Sequence, residues 1–276
     1  MCYSDPYLEA EALGANIQWE QADQFSSLKW PGGTERGELP HDVRAPEEAV
    51  KTARVSIAID TIRRLASMLR DGPLLMASVS GPFTLAARLT QLPTDGTQSR
   101  EAFLEEALEL AASTITKISG AFAEAGASLI FIHEELLPPL SSESCDVWAS
   151  LLAPVLNVIR FYETLPVLLM TDMHYLSQNI DLVFQRSWDC VLCPVLQPST
   201  LQPFAGIPEG TTAPLGFALP LRAFDTHAND STDAGHALKS IVSGFQPSLL
   251  TTAGDVPPAT DMKHLLKVLE SVPRSY

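Results

Sequence analysis

Ser80-Gly81-Pro82-Phe83-Thr84-Leu85-Ala86 follows an apolar run from Leu74 to Val79 and opens a helical pattern. A short apolar run stopped by Gly-Pro, with helix-spaced apolar residues after it, reads as a strand that turns directly into a helix. Turns of this kind line the mouth of parallel β/α folds, where ligands bind beyond the strand C-termini.

Working outward, strand and helix candidates alternate almost throughout. Strands read at Leu74–Val79, Ser128–His133, Val167–Thr171, Cys190–Pro194, Leu215–Leu219 and Ser248–Thr252, with Met1–Ser4 as the tail of another. From Pro46 to Arg70, Val55, Ile59, Ile62, Ala66 and Leu69 share one stripe, with Pro46 suited to a first turn. Leu104, Leu108, Ala111, Ile115, Ile118 and Phe122 do the same between Ser99 and Ala125, and Gly126 stops that helix. Further helices fit Ser144–Tyr162, Tyr175–Arg186, Asp233–Ser243 and Thr260–Val272. The alternation implies a parallel sheet, closed or open. Glu20 to Asp42 interrupts it and reads as an excursion or hairpin, with Trp19 and Trp30 at or near its start. Phe224 to Gly235 is a polar loop.

The length of 276 residues suits one (β/α) barrel or two small domains, and 46% hydrophobic residues suffice for a sizeable core. A net charge of -15 argues against nucleic acid and against docking on anionic lipid, both of which need a basic face. A polyanionic substrate would need a local basic pocket to overcome that field. The cysteines are sparse (Cys2, Cys145, Cys190 and Cys193) and no signal segment opens the chain, so a reducing cytoplasm is expected. No apolar run reads as membrane-spanning. No nucleotide cofactor is expected.

Four segments, in order along the chain, carry a resemblance. The first is Ser4-Asp5, followed by Glu9-Ala10-Glu11-Ala12-Leu13-Gly14. The second is the Gly81–Ala86 turn. The third is Glu124-Ala125-Gly126-Ala127 with a strand ending in His133-Glu134-Glu135 and a helix start at 140–143. The fourth is Thr252-Ala253-Gly254-Asp255-Val256-Pro257-Pro258, then Thr260 to Leu265. Together they resemble the uroporphyrinogen decarboxylase superfamily, which includes the tetrapyrrole decarboxylase and zinc-dependent corrinoid–thiol methyltransferases. The resemblance implies a single (β/α)8 TIM-type barrel over 1–276. Only Met1 to Tyr3 precede the Ser-Asp pair, so the chain reads as N-terminally short, with an incomplete first strand and without the decarboxylase's arginine-rich loop.

By resemblance, Asp5 matches the aspartate that holds the pyrrole N–H groups in the decarboxylase. Its alternative is a turn cap before Pro6. The decarboxylase's tyrosine after the Gly-Pro-aromatic turn falls at Arg88, a candidate for bidentate anion binding or an exposed helix arginine. Its serine falls at Glu135 and its late histidine at Gly254. The methyltransferase zinc ligands fall at Met170, Asp172 and Gly254, so the metal set is altered. Phe83 in the turn and Asp255 in the fourth segment join Arg88 as candidate substrate contacts. His133, Glu135, Asp172, His174 and Asp255 all lie at or just past strand ends, where a barrel gathers them at one mouth. With Asp5, the residues His133, Glu135 and Asp172 are candidate acid–base groups. His174, Asp172 and His133 are candidate ligands for zinc or another transition metal, while Asp172 as a helix cap and His174 facing solvent are the structural alternatives. Cys190 and Cys193 sit at i and i+3 in a strand pattern and point to opposite faces, so they do not form a metal pair.

Three functions compete. The first is a methyltransferase-like enzyme in methyl-group or corrinoid metabolism, acting on a small molecule. The second is tetrapyrrole decarboxylation of the porphyrin pathway. The third is a non-catalytic barrel that binds a ligand or partner. The resemblance also implies a homodimer and, for the first function, a corrinoid protein as partner.

Overall fold

Strand β4 (Met76–Ser80) and helix α4 (Pro82–Leu89) meet at Gly81, as the opening heptad requires. The computed structural model describes residues 2–3, 5, 7–21, 24–33, 35–69, 74–92, 102–135, 137–138 and 141–170, and beyond these 179, 183, 188–194, 215–219 and 249–252. The chain divides into two units, Met1–Leu168 and Leu169–Tyr276.

In the first unit, β1 (Cys2–Tyr3) pairs parallel with β4, and β4 pairs parallel with β5 (Leu129–Glu134). The order continues to β6 (Leu165–Met170), which spans the unit boundary. Ala77, Val79, Ile130 and Ile132 are almost wholly buried, which is why these strands read as apolar runs rather than alternations. The register sets Ser80 beside His133, so the C-terminal ends of β4 and β5 finish together.

The helices cover this sheet. In α5 (Glu105–Glu124), Leu108, Ala111, Ile115, Ile118 and Phe122 are buried, the stripe expected from the sequence. The expected start at Ser99 moves to Glu105 because Leu104 is extended (ψ 134°). The expected helix from Pro46 to Arg70 splits into α2 (Pro46–Ala49) and α3 (Ala53–Met68). The break is Thr52, extended at ψ 150°, whose hydroxyl donates to the Ala49 carbonyl at 2.8 Å. Helix α6 (Ser142–Phe161) starts ahead of the expected Ser144 through a capping box. Ser144 N–H donates to Ser141 Oγ at 3.1 Å, and Ser141 N–H donates to Ser144 Oγ at 2.6 Å. By length and composition alone α6 can cross a membrane, contrary to the sequence expectation. In this unit it buries Trp148, Leu152, Val155 and Ile159 against the rest of the fold, as a core helix does.

Two elements lie outside the simple alternation. The short helix α1 (Leu8–Ala12) follows β1, too brief for periodicity to disclose. The excursion is an antiparallel hairpin of β2 (Asn16–Gln21) and β3 (Gln24–Lys29), starting at Asn16 rather than Glu20. Trp30 beyond it is buried.

In the second unit β7 (Val191–Pro194), β8 (Leu215–Leu219) and β9 (Leu249–Thr252) pair parallel in that order. Cys190 is buried, as expected for a core residue, and burial pushes its thiol up to about 11, with Asp189 adding to the shift. The expected helices at 175–186, 233–243 and 260–272, and the loop at 224–235, lie outside the described residues.

Gly126 ends α5 at φ +103°, and a Cβ there would meet the Ala66 Cβ at 2.8 Å. Gly126→Ala is expected to cost about 1–3 kcal/mol through backbone strain and overpacking. Urea unfolding should show a lower midpoint with an unchanged slope.

Candidate functional site at the strand ends

The joint ending of β4 and β5, with the segment that follows β1, gathers a linked set of polar side chains. Arg88, in the last turn of α4, is its centre. Its Nη1 donates to Ser80 Oγ at 2.7 Å, and its Nη2 donates to Glu135 Oε2 at 2.9 Å. Its Cζ lies 5.1 Å from the ring centroid of Tyr7, within cation–π range. The Arg88 side chain is only 10% exposed while that of Glu135 is 35% exposed, so the pair runs from the interior towards solvent.

Behind Ser80 stands Glu9, a fully buried carboxyl on α1. Ser80 N–H donates to Glu9 Oε1 at 2.9 Å and Ser80 Oγ donates to Glu9 Oε2 at 3.1 Å. Burial raises the Glu9 pKa, and the Ser80 hydrogen bonds and the Arg88 charge oppose that rise. Tyr7 is likewise raised by burial, against the Arg88 charge and with that of Glu135.

Glu134 forms a second buried centre. Its Oε1 accepts from Thr84 N–H at 2.9 Å and from Thr84 Oγ1 at 2.8 Å, and its Oε2 accepts from the Trp148 indole at 2.9 Å. Thr84 Oγ1 also accepts from Glu135 N–H at 2.8 Å, which fixes the backbone of the neighbouring site residue. Desolvation outweighs these donors and pushes Glu134 up to about 7. A Cβ on residue 81 would overlap the Glu134 carboxylate, so glycine is required there by close approach and not by φ.

The sequence-derived candidates fall as follows. His133, Glu135 and Arg88 are brought together. The His133 ring is largely buried, and that burial lowers its pKa, with Glu135 raising it and Arg88 lowering it further. Asp5 takes the turn-cap geometry: Oδ1 accepts from Tyr7 N–H at 3.0 Å, while Oδ2 pairs with Arg54, which also pairs with Glu11. Phe83 is fully buried and meets Phe103 edge to face with centroids 5.0 Å apart, which makes it a packing residue rather than an open contact. Asp172, His174 and Asp255 lie outside the described residues. Among the described residues no three His, Cys, Asp or Glu side chains converge on a metal-sized site. The positive charge of Arg88 acts on His133 and disfavours a further positive charge on its ring.

Sequence reasoning passed over Glu9, Ser80, Tyr7, Glu134, Thr84 and Trp148. Ser80 and Thr84 did carry a signal, as polar residues closing an apolar strand and opening an apolar helix. A cavity of about 630 Å³ opens nearby between α1 and the start of α3, lined in part by Arg44, Glu48 and Lys51. Arg54 lines it too and connects it to Asp5.

Parallel β/α pairing with polar residues gathered at strand C-termini defines the α/β class, closed or open, in which ligands bind beyond the strand ends. Residues 1–154 match the family model described as "Uroporphyrinogen decarboxylase (URO-D)". The chain belongs to that family and has its (β/α)-barrel fold. Among solved structures it resembles a methyltransferase from Methanosarcina mazei at 16% identity and a TM-score of 0.72, covering 98% of this chain and 79% of that one. It also resembles a B12-independent methionine synthase from Shewanella sp. W3-18-1 at 10% identity and a TM-score of 0.52, covering 94% and 72%. No curated protein matches the chain.

The raised Glu134 pKa has a testable consequence. Between the usual value of 4.5 and about 7 the folded state holds a proton that the unfolded state has released. This contribution to stability is therefore full below pH 4.5, declines as pH rises, and is gone above about 7. The decline amounts to about 3 kcal/mol. Urea unfolding across that window should show this slope, and Glu134→Gln should flatten it.

Proposed function

We propose that the chain is a methyltransferase-like enzyme of the uroporphyrinogen decarboxylase family, acting on a small molecule in methyl-group or corrinoid-linked metabolism. The observation that carries this reading is the likeness, over nearly the whole chain, to a protein named as a methyltransferase. A second supporting observation is the composition of the strand-end site. It presents one anchored guanidinium, one neutral imidazole and one partly exposed carboxylate rather than a broad basic surface.

Arg88 binds and orients an anionic group of the substrate. His133, held neutral by its burial, takes a proton from an attacking thiol or similar nucleophile, with Glu135 beside it as the carboxylate partner. Under this reading a corrinoid protein is the partner, and a homodimer in the cytoplasm is the working form. No step is assigned to a metal, because two of its three candidate ligands, Asp172 and His174, lie outside the described residues.

Decarboxylation of a porphyrinogen is the second reading, favoured by the family's name and by Asp5. Against it, Arg88 and Arg54 are each already ion-paired, which leaves a many-carboxylate substrate little positive charge to meet.

The test is to mix the full chain with methylcobalamin and a small thiol and follow loss of the methylcobalamin absorbance. Turnover is expected, with His133→Ala slower by about 10²-fold or more at unchanged far-UV circular dichroism. Carbon dioxide release from uroporphyrinogen, abolished by Asp5→Asn, would instead establish the decarboxylase. Ligand or partner binding without either reaction would make the barrel a binding protein.

A further inference from the structure

Arg88 is held unequally by its partners. On the inner side Nη1 meets Ser80 Oγ at 2.7 Å, and Ser80 is locked in turn by two hydrogen bonds to a carboxyl that has no solvent exposure. On its face lies the Tyr7 ring. On the outer side Nη2 meets Glu135, whose side chain is 35% exposed. Breaking the inner contact would leave buried polar groups unsatisfied. Breaking the outer one releases a carboxylate into water. Only a side-chain rotation is needed for that, because the Glu135 backbone stays pinned by its hydrogen bond to Thr84 Oγ1.

A guanidinium fixed from behind, with a solvent-side carboxylate across its front, has the form of a carboxylate-binding site occupied by a carboxylate of its own chain. We propose that Glu135 occupies the place of a substrate carboxylate on Arg88, and that the ligand is a small molecule whose anchoring group is one carboxylate that displaces Glu135. The exchange leaves Arg88 with one carboxylate partner throughout, and a singly charged ligand meets the least repulsion from a chain of net charge -15. Once displaced, Glu135 remains next to His133, whose pKa it already raises, so binding would free the acid–base pair at the moment the substrate is seated. This inference rests on the Arg88 site of the proposed function but not on methyl transfer.

The experiment is calorimetric titration of the full chain, without a methyl donor, with butyrate, benzoate and glutarate, each against its amide. Wild type should bind at least one carboxylate in preference to the amide. Glu135→Gln removes the internal competitor and should tighten that binding by roughly two- to fivefold, the scale of a partly exposed ion pair. Arg88→Lys, which keeps the charge but loses the fork, should weaken it by at least tenfold or so. Arg63→Gln, a charge change at an exposed pair on α3, is the control and should leave binding unchanged. The proposal is overturned if no carboxylate is preferred to its amide in either form. It is equally overturned if Glu135→Gln leaves the affinity unchanged or weakens it, or if Arg63→Gln matches the effect of Arg88→Lys. Because turnover is not measured, absence of methyl transfer would sink the proposed reaction while leaving this result intact.

Discussion

The close approach of Gly81 to the Glu134 carboxylate is the constraint on which the strand-end architecture depends. A side chain at 81 would occupy the space of that carboxylate. With glycine there, Glu134 reaches across from the end of β5 to Thr84 on α4 and to Trp148 on α6. One buried carboxyl thus ties a strand to the two helices packed around it. The cost of that arrangement is desolvation, visible in the raised pKa, and four donors, the Thr84 N–H and hydroxyl, the Trp148 indole and the Phe83 N–H, offset part of it.

That tie also sets the functional side of the same peptide run. Thr84 donates its hydroxyl to Glu134 and accepts from the Glu135 N–H, so the structural carboxyl and its site neighbour are fixed by one side chain. Glu134 points inward to Trp148 and Glu135 points to Arg88, which follows from the alternation of side chains along an extended segment. The adjacent acidic pair therefore divides into a carboxyl that holds the fold and a partly exposed carboxylate that pairs with Arg88. Glu9 and Glu11 on α1 divide the same way: Glu9 is buried behind Ser80, and Glu11 pairs with Arg54 beside a cavity.

Charge economy connects the site to the chain as a whole. The protein is strongly acidic, yet its described site cations are each matched by a nearby carboxylate. Arg54 serves Asp5 and Glu11, and Arg88 serves Glu135. A site built this way does not attract polyanions by a field. Under the proposed exchange on Arg88 it discriminates by geometry, because an incoming acid has to compete with one already in place.

The strands, the α5 stripe, the Gly126 stop and the β/α alternation were legible in the sequence because periodicity and glycine placement are local properties. The Gly-Pro-Phe-Thr turn also announced itself locally, and so did the place of His133 and Glu135 at a strand end, while Arg88 became a candidate only through the family resemblance. Which acidic residue would be buried was not legible: Glu9, Glu11, Glu134 and Glu135 are chemically alike, and only packing separates them. Phe83 read as a ligand contact from its place in the turn, yet the fold turns its ring onto Phe103. Asp5 read as a catalytic carboxylate by resemblance, yet the approach of Arg54 from α3 binds one of its oxygens. By itself the sequence determined the alternation and the places where chemistry gathers. Tertiary structure alone decided which charges meet, because hydrogen bonds across |i−j| of 47 to 71 residues depend on helix and strand packing that no local pattern encodes.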